Sequence, residues 1–442
     1  MQTKLSIKIL LILLFQNIYS YNGLAYGKNI GNPQQSKVQE FYIRKGLPNF
    51  FSKATSGKPL RVGYIGGSIT HVGERYRDQT TTFIKELFPS SKLTELVAAV
   101  PGTDADLGAC RIEEQLLAHK PDLIFVEFAV NGGFDAGMEG IVRKIWENNP
   151  FTDICFIYTV TSAQLKFYQK QEVTPIIKRL EQLAEHYQIP SVHMGLIPAK
   201  LVTENKLIPQ ADQDDGERIA FSKDGVHPLK KGGDLYAQSI ANALKAIMNF
   251  STNKDYSHPM PMPITNHWAD AKMLDPQSAA AFTGRWTKVS TQSSKSLAPF
   301  AEWFPYVMKG EDAGATFTVK FKGNMIGFFD VGAPEVGQLE MEIDGKPAAI
   351  KWQRGGRYVT AENGEKLMNR FTKYANNRYR GQYAVIEVKP GEHVVTFRIS
   401  VEKADKIKIL ENKLGDITAK PEKYNQSVIY LGKILLRGEL LP

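Results

Sequence analysis

Two cysteines, Cys110 and Cys155, are all that 442 residues contain, so disulfides do not organise this fold. Each lies in or beside an apolar segment and reads as a buried free thiol, with a single bridge left open. His-x-x-x-His and Cys-x-x-Cys pairs are missing, and the acidic group Asp212, Asp214 and Asp215 reads as a solvated loop. No metal and no cofactor is therefore expected. Basic residues are scattered among acidic ones rather than gathered in a dense run, and a net charge of +9 is modest for this length, which excludes an evident nucleic-acid site. The one apolar run near the start, residues 9–15, is too short to span a bilayer. No repeat or low-complexity tract is present. With 43% hydrophobic and 23% charged residues the chain is globular, long enough for two or three cores.

Lys4 and Lys8 precede that apolar run, and polar and small residues follow it. This is the pattern of a secretory signal over residues 1–25, cleaved after Ser20 or Ala25, and it predicts a periplasmic or secreted protein without a membrane segment once the signal is removed.

From residue 61 to about 250 the pattern alternates. Apolar runs at 62–65, 93–100, 123–130, 154–160 and 189–193 read as strands buried on both faces, as a parallel sheet requires. Helical spacing lies between them at 81–87, 112–119, 138–148 and 172–187, and again at 234–250. The fold class is α/β, a flavodoxin-like doubly wound parallel sheet over 26–255. Residues 256–273 carry Pro259, Pro261 and Pro263 without periodicity and read as a linker. From 274 to 442 short stretches alternate apolar and polar residues, at 315–321, 325–330, 338–343, 383–388 and 393–399. Turns such as Asp344-Gly345 and Pro390-Gly391 separate several of them. A closing pair, 406–410 with 428–435, completes an antiparallel jelly-roll-like β-sandwich.

The first strand runs straight into Gly66-Gly67-Ser68. Two glycines let the backbone turn while leaving the next side chain uncovered, at the sheet edge where α/β proteins bind ligands. A serine hydroxyl is a poor nucleophile unless a base removes its proton. Asp224-Gly-Val-His227-Pro228 supplies one far downstream: His227 as base, with Asp224 three residues away to orient it. His71 is a rival base, but nothing in the sequence pairs it with a carboxylate.

Four blocks in order, Gly66-Gly-Ser-Ile-Thr70, Pro101-Gly-Thr-Asp-Ala-Asp-Leu-Gly108, Phe128-Ala-Val-Asn131 and Asp224-Gly-Val-His-Pro228, resemble the SGNH (GDSL-like) hydrolase superfamily. The resemblance implies that the backbone N–H groups of Ser68 and Gly102 and the side-chain amide of Asn131 form the oxyanion hole. It also shows two departures: Gly67 stands where the family has Asp, and Gly132 where Asp usually follows Asn. Arg111 and Glu127 read as a structural ion pair, with support of the site as the alternative. Secretion and an appended sandwich are similar to bacterial polysaccharide-degrading esterases, which implies a Ser-His-Asp esterase removing acyl groups, acetyl first among them, from a poly- or oligosaccharide. A lipase, an O-acetyltransferase, and a glycan-binding protein with a silent first domain are the alternatives. In the second domain Trp303, Trp352, Arg378 and Tyr379 offer aromatic faces and donors suited to sugar rings.

Overall fold

The computed structural model describes residues 37–250 and 255–442; the expected signal segment, 1–25, lies outside them. The apolar runs of the first half form a six-stranded sheet of β1 (Phe41–Tyr42), β2 (Leu60–Gly66), β3 (Leu93–Ala99), β4 (Leu123–Glu127), β5 (Asp153–Tyr158) and β6 (Ser191–His193). The strand order is 1-6-5-4-2-3. Strands 2 to 6 are parallel, and the short β1, which the sequence pattern does not reveal, pairs antiparallel with β6. Every residue of β4 and β5 is buried, which is why they read as unbroken apolar runs. The chain leaves β2 on one side, forms β3, and then crosses back over to form β4. The C-terminal end of β2 is therefore the point where the strand order reverses, and a crevice opens there by topology alone.

Helices α1 (Pro48–Thr55), α2 (Ser68–His71), α3 (Tyr76–Leu87), α4 (Ala105–Gln115), α5 (Asp135–Asn148), α6 (Leu165–Gln169), α7 (Pro175–His186), α8 (Leu196–Thr203) and α9 (Lys230–Phe250) surround this sheet. A small parallel pair, β7 (Leu207–Gln210) and β8 (Ile219–Ser222), stands just before α9. No helix among the described residues is long and apolar enough to cross a membrane.

The second half is β-rich. Its strands are β9 (Ala271–Leu274), β10 (Ala281–Thr283), β11 (Trp286–Ser290), β12 (Tyr306–Gly310), β13 (Thr316–Gly332), β14 (Gln338–Ile343), β15 (Lys346–Ala348), β16 (Ile350–Arg354), β17 (Arg357–Thr360), β18 (Leu367–Asn369), β19 (Arg380–Ile399) and β20 (Ile429–Leu440). They form one hydrogen-bonded network with the path 11-12-20-13-19-14-15, in which the long β13 and β19 pair antiparallel with a register shift between Gly323 and Met325. Side chains alternate faces along a strand, and here the two faces enter different cores. Phe317, Val319, Phe321, Ile326 and Phe328 of β13 fill a core made only of residues from the β-rich half. Met325, Phe329 and Val331 of the same strand join the core of the α/β layer instead.

One expected strand is a helix. Residues 406–410 form Lys406–Leu410, started by the Asp405 carboxylate accepting from the Lys408 amide at 3.0 Å, while the Lys406 ammonium turns inward to the carbonyls of Pro334 and Tyr424. Alternation over five residues does not distinguish a strand from one helical turn. β20 takes its partners from β9, β12 and β13.

The proline-rich stretch before β9 lies along the α/β layer. His258 Nε2 meets Asp153 Oδ1 at 2.7 Å, and its ring stacks on Trp146 with centroids 4.7 Å apart. Trp268 is 1% exposed, with the guanidinium groups of Arg357 and Arg437 4.5 and 5.6 Å from its ring. Removing that indole leaves a cavity and two cations without their aromatic face. Trp268→Ala should lower stability by about 3–5 kcal/mol, and Met262→Ala, on the same stretch but 82% exposed, by about 0.5 kcal/mol or less in urea denaturation. Equal losses would mean that this stretch does not join the two layers.

Candidate active site

β2 ends at Gly66, and Ser68 is the first residue of the four-residue α2, so its half-buried side chain is presented at the reversal point of the sheet. The loop between β8 and α9 brings the second group. Ser68 Oγ lies 2.7 Å from His227 Nε2, and His227 Nδ1 lies 2.6 Å from Asp224 Oδ2. The other Asp224 oxygen accepts from the amides of Val226 and His227 at 2.9 and 2.8 Å, which fixes the carboxylate within its own turn. The Ser222 hydroxyl donates to the His227 carbonyl at 2.8 Å and ties that turn to β8. Partial burial alone would raise the Asp224 pKa. The hydrogen bonds from the imidazole and the two amides outweigh it and hold the carboxyl well below the ordinary range, so it stays an anion that orients the imidazole.

Gly102 follows β3 with φ +73°, and Asn131 follows β4. Among the described residues neither the Gly102 N–H nor the Asn131 side-chain NH₂ has an acceptor, and the Ser68 N–H, at the start of a helix, has none within it. The loops after β2, β3 and β4 thus bring three donors without a protein acceptor to one edge of the sheet, with the Asn131 amide against Gly67. The Asn131 amide explains one departure at Gly67: a methyl group there would come within 2.7 Å of Asn131 Cγ, so a side chain at that position would displace the amide. At the other departure, the Gly132 carbonyl accepts from Phe134 at 2.8 Å and from Ala105 at 3.3 Å, joining the Asn131 loop to the start of α4.

Arg111 and Glu127 do not pair with each other. Arg111, fully buried, donates to the carbonyls of Gly66 at 3.0 Å and Ala98 at 2.7 Å, clamping the ends of the two strands that carry Ser68 and Gly102. Burial pulls its pKa down to about 9. Glu127 accepts from the hydroxyls of Thr70 at 2.9 Å and Thr159 at 2.5 Å and from the Gly67 amide, and burial raises its pKa in spite of them. Periodicity places such residues in the core but does not say which carbonyl or hydroxyl they will meet.

The β-rich half reaches this same edge. His71 Nε2 lies 2.9 Å from Glu302 Oε1, so the carboxylate missing from its sequence neighbourhood comes from 231 residues away, while Ser68 bonds His227. Tyr383 donates to Asp104 at 2.5 Å, Arg357 to Asp106 at 2.8 Å, and Arg380 lies against Gly102. Of the aromatic and basic candidates, Trp303 is 8% exposed among Phe300, Phe304 and Phe329, and Tyr379 donates to Glu335. Trp352 is 60% exposed beside the hairpin turn, and Arg378 binds the Tyr374 carbonyl at 2.7 Å on the surface. Cys110 and Cys155 are both free and buried.

The fold is shared with a two-domain esterase. A structure of that protein, a two-domain esterase (CEX) active on acetylated mannans, co-crystallised with mannopentaose, aligns with a TM-score of 0.65 at 18% identity, over 91% of this chain and 100% of that one. A second structure of a two-domain esterase (CEX) active on acetylated mannans aligns with a TM-score of 0.62 at 18% identity, over 90% and 99%. The alignment takes in both halves in the same order. No protein-family model and no curated protein matches the sequence.

Asp104 and Asp106 sit buried between the halves. Burial raises the Asp104 pKa to about 7, with the neighbouring Asp106 adding to the rise and the Tyr383 hydrogen bond opposing it. The folded state therefore holds a proton on Asp104 that the unfolded chain, with a pKa of about 3.9, gives up earlier. The stability carried by the protonated acid is full below about pH 4 and is lost as the pH rises toward 7. Wild-type stability relative to Asp104→Asn should fall across that interval in denaturation curves taken at several pH values. A constant difference, or one that grows with pH, would contradict the burial account.

Proposed function

We propose that the protein is a secreted or periplasmic serine esterase of the SGNH type that removes acyl groups, acetyl first among them, from saccharide hydroxyls. The observation that carries this reading is the hydrogen-bonded row from Ser68 through His227 to Asp224, with three donors without a protein acceptor at the same sheet edge. In this reading Ser68 Oγ attacks the ester carbonyl as His227 Nε2 takes its proton. The carbonyl electron pair moves to oxygen and is held by the N–H groups of Ser68 and Gly102 and by Asn131. His227 then returns the proton to the departing sugar oxygen, and water repeats the sequence to free the acid and the serine. Asp224 keeps the imidazole in the tautomer this requires.

The saccharide substrate is supported by the shared two-domain fold of an esterase active on acetylated mannans, and by the β-rich half meeting the edge that carries Ser68 through Arg380 at Gly102 and Glu302 at His71. The parallel-strand order 3-2-4-5-6 supports the flavodoxin-like reading of the first half, and the packed faces of β13 and β19 support a sandwich of jelly-roll type in the second. A silent hydrolase domain would have no need to hold Ser68 and His227 at 2.7 Å.

Purified protein should hydrolyse p-nitrophenyl acetate and release acetate from acetylated glycans. Ser68→Ala and His227→Ala should each abolish turnover without unfolding the chain, and the double variant should be no worse than either, because members of a triad act as a unit. Normal turnover by His227→Ala, with loss in His71→Ala, would move the base to the other histidine.

A further inference from the structure

The Gly102 N–H, an oxyanion donor in the esterase reading, has no acceptor in the protein, and the space beside this glycine is taken by the other half of the molecule. A methyl group on Gly102 would come within 2.5 Å of Arg380 Nη2. Arg380 opens β19, where it pairs with Gly332 of β13, and the next residue, Gly381, is wedged against the rings of Trp303 and Phe329. The backbone that carries the guanidinium is thus anchored in the core. Tyr374 lies on the guanidinium, 5.2 Å from Cζ to ring centroid. Among the described residues no carboxylate lies within ion-pair distance of Arg380, and the nearby Asp330 is engaged by Arg370 at 2.6 Å. Arg357, Arg370 and Arg437, in the same half, all have acidic partners.

We propose that Arg380 is a further catalytic residue of this esterase site, a cation lent by the β-rich half to the oxyanion that forms at the Gly102 N–H. The proposal rests on the esterase reading above. A partly desolvated guanidinium without a counter-ion is costly to hold. It gains its partner when the attack of Ser68 Oγ on the carbonyl carbon sends the π electron pair to oxygen. Charge fixed in place before the reaction stabilises the transition state more than the neutral ester. The consequence is a composite site: Ser68, Gly102, Asn131, Asp224 and His227 come from the α/β half, and the strongest positive charge at the oxyanion comes from the other. Burial and the neighbouring Arg378 depress the Arg380 pKa, in keeping with a cation that has no anion beside it in the resting protein.

The test uses the full chain and p-nitrophenyl acetate, a neutral ester too small to reach any sugar subsite. Arg380→Met keeps the stem and removes the charge; Arg380→Lys keeps a charge; Arg380→Ala opens room for added guanidinium ion. Arg380→Met should lower kcat roughly a hundred- to a thousand-fold, the range seen for loss of one oxyanion donor, with KM nearly unchanged. Arg380→Lys should keep more activity than Arg380→Met, and guanidinium at concentrations below those that unfold the protein should restore part of the Arg380→Ala rate. Unchanged kcat in Arg380→Met would overturn the proposal. So would a KM effect confined to anionic glycans, which would make Arg380 a binding residue for a sugar acid. A loss of rate that follows the melting temperature, without rescue by Lys or guanidinium, would make its role structural. Wild-type protein inactive on this ester would overturn the esterase reading itself, whereas an active wild type matched by Arg380→Met would overturn only the assignment of Arg380.

Discussion

The 2.7 Å hydrogen bond between Ser68 and His227 joins two points 159 residues apart, and the rest of the site depends on its being made. Neither group can shift far, because each is held from below. Ser68 follows a buried strand whose last carbonyl is gripped by Arg111, and the Gly67 amide is gripped by Glu127. His227 stands on a turn closed by Asp224 and pinned to β8 by Ser222. A buried arginine and a buried glutamate would be expensive in an ordinary core. Here each has partners at the strand ends: Arg111 adds a second donor to the Gly66 carbonyl, which already accepts from the Val100 amide, and Glu127 takes the hydroxyls of Thr70 and Thr159.

Strand order explains why those ends meet. With β2 between β3 and β4, the loops after these three strands must leave the sheet side by side, and they carry Ser68, Gly102 and Asn131. The β-rich half then meets the same edge, with Arg380 against Gly102 and Glu302 on His71. Its long strands present one row of side chains to their own core and the alternate row to the α/β layer, so the two halves share apolar packing. Polar groups are carried into that contact: Tyr383 and Arg357 on two buried carboxylates, Glu302 on His71, Arg380 at Gly102.

What could be read from the sequence was local in its signal. Buried parallel strands announce themselves as apolar runs, and Gly-Gly-Ser after one strand with Asp-x-x-His before the last helix holds the three residues that the structure joins in one hydrogen-bonded row. The Gly67 departure was visible, yet its reason, the Asn131 amide resting against it, needed a loop 64 positions away. The same limit hid Glu302, Tyr383 and Arg380, whose partners lie in the other half. Residues 406–410 failed for a different cause, since a five-residue alternation carries too little periodicity to separate one helical turn from a strand.

The central claim is that Ser68 becomes acylated. Intact-protein mass spectrometry after rapid acid quench with excess p-nitrophenyl acetate, followed by peptide mapping, tests it most directly. One acetyl group per chain is expected, on the peptide that holds Ser68, appearing within the first turnover and absent from Ser68→Ala. Turnover with no acetyl on the protein, or with the label on another residue, would contradict it.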